Sequence, residues 1–166
     1  GCWDGDKNID SFPSLKISKK DQKEMVFIPA GEFIMGTNKV DKEETHKKIG
    51  AVKPLYLDQH PERKLFLDSY YIDQYEVTNE EYSRFLNANQ FTDIPAHWED
   101  GVFAEGQEYH PVTQVTWWEA WSYCQWSDKQ LPTEAQWEKS ARGPDGLPYP
   151  WGKEFIKGKA NVGIEG

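Results

Sequence analysis

The spacing of apolar residues changes along the chain, and it predicts strands first and helices afterwards. Two short apolar runs, "MVFI" at 25–28 and "FIM" at 33–35, flank Pro29, Ala30 and Gly31. Short β-prone runs on either side of a turn sequence predict a β-hairpin, with Gly31 free to take positive φ. Residues 37–63 are charged and carry no period, which predicts a long surface loop. The stretch "LFLDSYYIDQYEV" from Leu65 to Val77 is β-branched and aromatic, and predicts one or two strands.

The period then turns helical. Tyr82, Phe85 and Leu86 fall on one face; so do Trp117, Ala120, Trp121 and Cys124; so do Trp137 and Ala141. Each of these segments opens with the same device: Thr78 precedes Glu81, Thr116 precedes Glu119, and Thr133 precedes Gln136. A threonine at N-cap and a Glu or Gln at N3 satisfy each other's backbone amides, so three such boxes predict three helix starts. Gly143-Pro144 ends the third, because glycine suits the left-handed position after a helix and proline cannot continue one. Long irregular stretches remain, at 91–115 and 143–166. The pattern predicts one α+β domain over residues 25–166, with short helices, few strands and a large irregular share.

Composition explains how loops of that length are held. Eight Trp, eight Tyr and eight Phe supply rings that each bury a large area. A formal net charge of −9 argues against nucleic acid as a partner, since phosphates need a basic surface. No apolar run approaches the roughly 18 residues of a membrane span.

Residues 4–24 are polar, and residues 1–24 read as an N-terminal tether. Gly1-Cys2 matches the last two positions of a bacterial lipobox, so Cys2 is a candidate lipidation site. On that reading the chain is anchored in the bacterial cell envelope or periplasm, and its only membrane contact is the lipid. The bland reading is that the chain simply starts there. Asp4, Asp6, Asn8 and Asp10 alternate as in a calcium loop, but Ile9 and Leu15 stand where the EF-hand needs glycine and glutamate. A solvated acidic tether fits better.

Candidate chemistry is sparse. Two cysteines exclude a disulfide-rich scaffold. Cys124 lies on an apolar stripe and reads as a buried, inert thiol rather than a reactive one. His110 reads as a hydrogen-bonded structural histidine ahead of a catalytic base. Trp118 lies off the stripe of its helix and is a candidate binding surface. No residue is nominated as catalytic, and no acidic pair has spacing that points to acid–base work.

The blocks "MVFIPAGEFIMGT", "YYIDQYEVTNEEYSRF", "HPVTQVTWWEAWSYCQW", "QLPTEAQWEKSARG" and "YPWG…AN" occur in that order. Together they resemble the formylglycine-generating enzyme family, the sulfatase-modifying factors, over about residues 25–162. The resemblance implies a variant of the C-type lectin-like fold. In catalytic members it implies an oxygen- and copper-dependent conversion of a sulfatase cysteine into Cα-formylglycine. That chemistry uses a cysteine pair near the end of the domain, with a Gly-Asn-x-x-Glu-Trp block and an Arg-Gly-Gly-Ser block. None of the three occurs in these residues. Cys124 matches a structural cysteine of the family. Asn161 and Val162 match half of a structural calcium site, the remaining ligands lying outside this sequence.

Two functions follow as expectations. The first is a non-catalytic accessory or binding module, envelope-tethered, with a protein partner in a larger assembly. The second is the N-terminal part of the oxygen-dependent enzyme, for which alone copper is expected. Under either, apolar surface left exposed where further elements pack predicts a partner.

Overall fold

A computed structural model describes residues 1–4, 13–40, 59, 61–90, 94–154, 156 and 159. The described elements run β1 (Trp3–Asp4), β2 (Leu15–Ile17), β3 (Glu24–Ile28), β4 (Gly31–Met35), β5 (Arg63–Leu67), β6 (Tyr70–Asp73), α1 (Asn79–Asn89), α2 (Trp117–Trp126) and α3 (Glu134–Arg142). They fall into two compact units, residues 1–30 with 68–133 and residues 31–67 with 134–166.

The first unit carries a four-stranded antiparallel sheet in the order β1-β6-β3-β2. The "MVFI" run forms β3 as predicted, but the hairpin does not form. β3 pairs with β6, Met25 opposite Asp73 and Ile28 opposite Tyr70, while the "FIM" run lies in β4 of the other unit. Pro29 and Gly31 break the chain there, yet a break does not specify that the two runs it separates must pair. The tether is corrected as well. Trp3–Asp4 pair with β6 and Leu15–Ile17 pair with β3, so these two segments of residues 1–24 belong to the sheet. Lys16 of β2 links the two outer strands: its ammonium is 2.7 Å from Asp4 of β1 and 4.5 Å from the centre of the Tyr71 ring of β6.

Two helices follow, and their capping boxes are as predicted. The Thr78 hydroxyl accepts the Glu81 amide and Glu81 accepts the Thr78 amide at 2.8 Å; Thr116 and Glu119 repeat the arrangement. The core between the helices is aromatic. Tyr82 stacks on Tyr123 with centroids 6.1 Å apart, Phe85 meets both Tyr123 and Trp126, and Cys2, Leu86 and Cys124 complete the cluster. Trp98 lies edge-on to Tyr82 and to Phe103. These rings pin the described part of the irregular stretch 91–115, as the aromatic composition suggested.

The second unit pairs β4 with β5 antiparallel, Gly31 opposite Leu67 and Met35 opposite Arg63. Its helix α3 starts directly after Thr133 and ends at Gly143, whose φ is +69°. α3 was expected to bury Trp137. Trp137 is 63% exposed instead, and the inward residues are Gln136, Glu138 and Lys139. The reason is backbone demand. Glu138 accepts the Gly36 amide at 2.7 Å and pairs with Arg142, Lys139 donates to the Gly31 carbonyl, and Arg142 donates to the carbonyls of Gly36, Gly146 and Leu147. Buried carbonyls and amides without partners are costly, so the polar side of this helix faces them.

Candidate functional site

The first unit contains a cross-link and a charge network that the sequence did not announce. Cys2 and Cys124 form a disulfide across 122 positions, with Cα atoms 5.6 Å apart. Both residues are almost fully buried. Two expectations change with it. Cys124 is not a free thiol, and a sulfur already bonded to another sulfur has no valence for a lipid thioether at Cys2. The sequence signal was slight: two cysteines far apart allow a pair but do not imply one.

Beside the disulfide, the Lys129 ammonium donates to Asp21 at 2.6 Å and to Asp73 at 2.8 Å. The three side chains are 2% exposed or less. Tyr123 donates its hydroxyl to Asp21, and the Cys2 amide donates to Asp73 at 2.8 Å. The two carboxylates differ. Burial pushes the Asp73 carboxyl up, more than Lys129 and the Cys2 amide pull it down. Burial acts on Asp21 too, but hydrogen bonds from Lys129, Ser18 and Tyr123 outweigh it and hold that group below its ordinary value. Burial, followed by the charge of Asp21, raises the Tyr123 hydroxyl, so it stays a proton donor. This network ties three distant segments together around one cation. Asp73 shares the inward parity of Tyr71 on β6, which was its one sign in the sequence.

The other face of α2 is aromatic and open. The expected stripe was Trp117, Ala120, Trp121 and Cys124. The buried residues are Tyr123 and Cys124, with Ala120 half-buried, while Trp117, Trp118 and Trp121 are 59%, 69% and 40% exposed. The three rings pack on one another, Trp117 edge-on to Trp118 at 4.7 Å and Trp121 within 6.5 Å of both. Trp118, singled out from the sequence, is therefore one of three exposed rings. His110 is exposed, and it is the carbonyl of His110 that the fold uses, accepting the Asn79 amide at 2.9 Å.

Asn161 and Val162 lie outside the described residues. Among the described residues no group of three His, Cys, Asp or Glu side chains could hold a metal ion. The two cysteine sulfurs of this chain are bonded to each other, so in this state they offer no thiolate to copper.

The fold is α+β, with short helices and antiparallel strands, and the first unit has an aromatic core. The chain belongs to the family of sulfatase-modifying factor enzyme 1-like domains, whose model matches residues 11–165. It is 34% identical over 153 residues to the serine/threonine-protein kinase pkn1 of Chlamydia caviae, covering 83% of this chain and 22% of that protein. It is 30% identical over 174 residues to the formylglycine-generating enzyme of Bos taurus, covering 79% and 43%. Among solved structures, PvdO from Pseudomonas aeruginosa is similar with a TM-score of 0.62 and 26% identity, over 91% of this chain and 59% of that one. The chain thus spans between about a fifth and a half of these curated relatives. One domain occurs in proteins named for different activities, so membership by itself does not assign chemistry.

Proposed function

We propose that this chain is a non-catalytic binding module with the sulfatase-modifying factor fold, working through a protein partner in a larger envelope assembly. The observation that carries the reading is the open tryptophan face of α2, where three large rings stay in water on a helix whose opposite side is locked into the core. Contiguous exposed aromatics mark interaction surfaces, and tryptophan is the residue most enriched among binding hot spots. The buried disulfide supports an extracytoplasmic setting, the periplasm or cell envelope, because such bonds form and persist in oxidising compartments. Structural calcium through Asn161 and Val162 stays part of the proposal.

A photo-crosslinking amino acid placed at Trp118 in the cell of origin should yield one adduct of defined mass. The same probe at the exposed Lys153 should not. Absence of any adduct at position 118 would sink the binding reading.

The relatives named formylglycine-generating enzyme favour a second reading, in which this is the N-terminal part of an oxygen-dependent enzyme acting on a sulfatase cysteine. Incubation with a Cys-x-Pro-x-Arg peptide, copper and oxygen separates the two. Aldehyde formation would establish the second; an unchanged peptide is the outcome expected.

A further inference from the structure

Charged residues make up 28% of the chain, yet the open side of α2 carries none. From Thr113 to Gln125 every exposed residue is uncharged. The one charged side chain in that stretch, Glu119, is half-buried, and its carboxylate accepts the Thr116 amide. The other helices show the ordinary pattern: α1 exposes Glu80 and Arg84, and α3 exposes Glu134. A solvated helix face normally carries charge on its water side. A face without charge and rich in tryptophan has the composition of an interface core.

The face has the relief and the area for self-pairing. Trp118, Trp121, Ser122 and Gln125 stand at i, i+3, i+4 and i+7, the four positions that border a hole on a helix surface. Ser122 is small and half-buried, so it is the floor, and the packed rings of Trp118 and Trp121 are the knobs beside it. A two-fold axis passing between Trp121 and Ser122 lays α2 antiparallel on its copy. Each Trp118 then faces Gln125 of the other copy and each Trp121 faces its Ser122, so the same patch serves both partners. At about 250 Å² for a whole tryptophan, the three rings leave on the order of 400 Å² in water. That is about half of the roughly 800 Å² that one side of a stable interface buries. It supplies the apolar centre, with the uncharged Thr113, Gln114 and Thr116 at the rim.

Charge selects the same occupant. A chain of net charge −9 meets basic partners through its acidic regions, not through a face without charge. Two copies joined at this face keep their carboxylates out of the contact, where like charges cost most. We infer that the partner at the tryptophan face is a second copy of this chain, with the two α2 helices paired antiparallel about a two-fold axis. The inference rests on the reading of that face as a binding surface and names its occupant.

Sedimentation velocity of the full chain, disulfide intact, tests it. The mass should rise from one chain to two with concentration. Because both copies are acidic, added salt should strengthen the pair, whereas salt weakens a contact between opposite charges. Trp118→Lys should weaken dimerisation by about tenfold or more. Gln125→Lys, at the position facing Trp118 of the other copy, should weaken it in the same direction. Glu80→Gln changes the net charge by as much as Trp118→Lys does, but on α1, and should not weaken it. Thermal melting checks that each variant folds, and Gln125→Lys keeps the test open if Trp118→Lys does not. A chain that stays monomeric at every concentration and salt, or a dimer indifferent to both lysine variants, overturns the pairing. The crosslinker at position 118 separates this inference from the proposed function. An adduct with an unlike chain in the cell, beside a monomer in solution, defeats the second copy alone. A dimer in solution without an adduct in the cell keeps the pairing and defeats the larger assembly, and a monomer without an adduct defeats both.

Discussion

Lys129 joins two distant carboxylates inside the first unit. Among the described residues it is the one side-chain cation that bonds both Asp21 and Asp73, and neither carboxylate has water to fall back on. Removing one partner of a buried ion group strands the others and costs about 3–5 kcal/mol. Lys129→Met should lower the stability at neutral pH by that amount in urea titrations. The pH dependence has a definite sign. In the native chain Asp21 is held low, so its contribution is present above the unfolded value of about 3.9 and is lost as pH falls through the depressed folded value. In the variant both carboxylates stay desolvated and lose the ammonium that bonds them, so their folded values rise, Asp73 further than it already stands. Stability is then present below the unfolded value and lost as pH rises. The two stability curves should converge as pH drops from about 7 to about 4. A deficit that stays constant across that window would mean that the network is not charged.

At the scale of elements, helix α2 separates what a pattern can say from what it cannot. Its start was legible, because Thr116 and Glu119 sit at fixed offsets and act locally. Thr116→Ala should cost about 1 kcal/mol of stability by thermal melting. Its buried face was not legible. The stripes Trp117-Ala120-Trp121-Cys124 and Ala120-Tyr123-Cys124-Ser127 both obey helical spacing, and the first is the more apolar. The choice was made by partners on other segments. Cys2 bonds Cys124, Asp21 accepts from Tyr123, Tyr82 stacks on the Tyr123 ring and Phe85 meets it edge-on. It follows that Trp117→Ser and Trp118→Ser should each change the melting stability by no more than about 0.5 kcal/mol, the usual range for surface positions. A larger loss in either would place that ring in the core. Helix α3 shows the same limit, since the unmet amides and carbonyls of β4 and its neighbours outweigh Trp137.

At the scale of the whole molecule, the Cys2–Cys124 bond closes nearly the entire described length of the first unit into one loop. A long cross-linked loop removes much entropy from the unfolded chain, and losing such a bond typically costs about 2–5 kcal/mol. The double variant Cys2→Ser, Cys124→Ser should melt lower by a corresponding margin and should no longer respond to a dithiol reductant. An unchanged melting temperature would show that the network around Lys129 suffices alone.

The sequence by itself determined the family, the α+β class, the helix starts and the aromatic nature of the core. These rest on interactions between residues a few positions apart, or on composition, and both can be read along the chain. Tertiary structure alone decided which strands pair, which face of each helix is buried, and that Cys2 meets Cys124. It also decided that Asp21, Asp73 and Lys129 share one buried site, and that Trp117, Trp118 and Trp121 stay in water. Each of these depends on groups brought together from separate segments, where the burial of a charge, the filling of a backbone hydrogen bond and the closing of a loop are settled only in three dimensions.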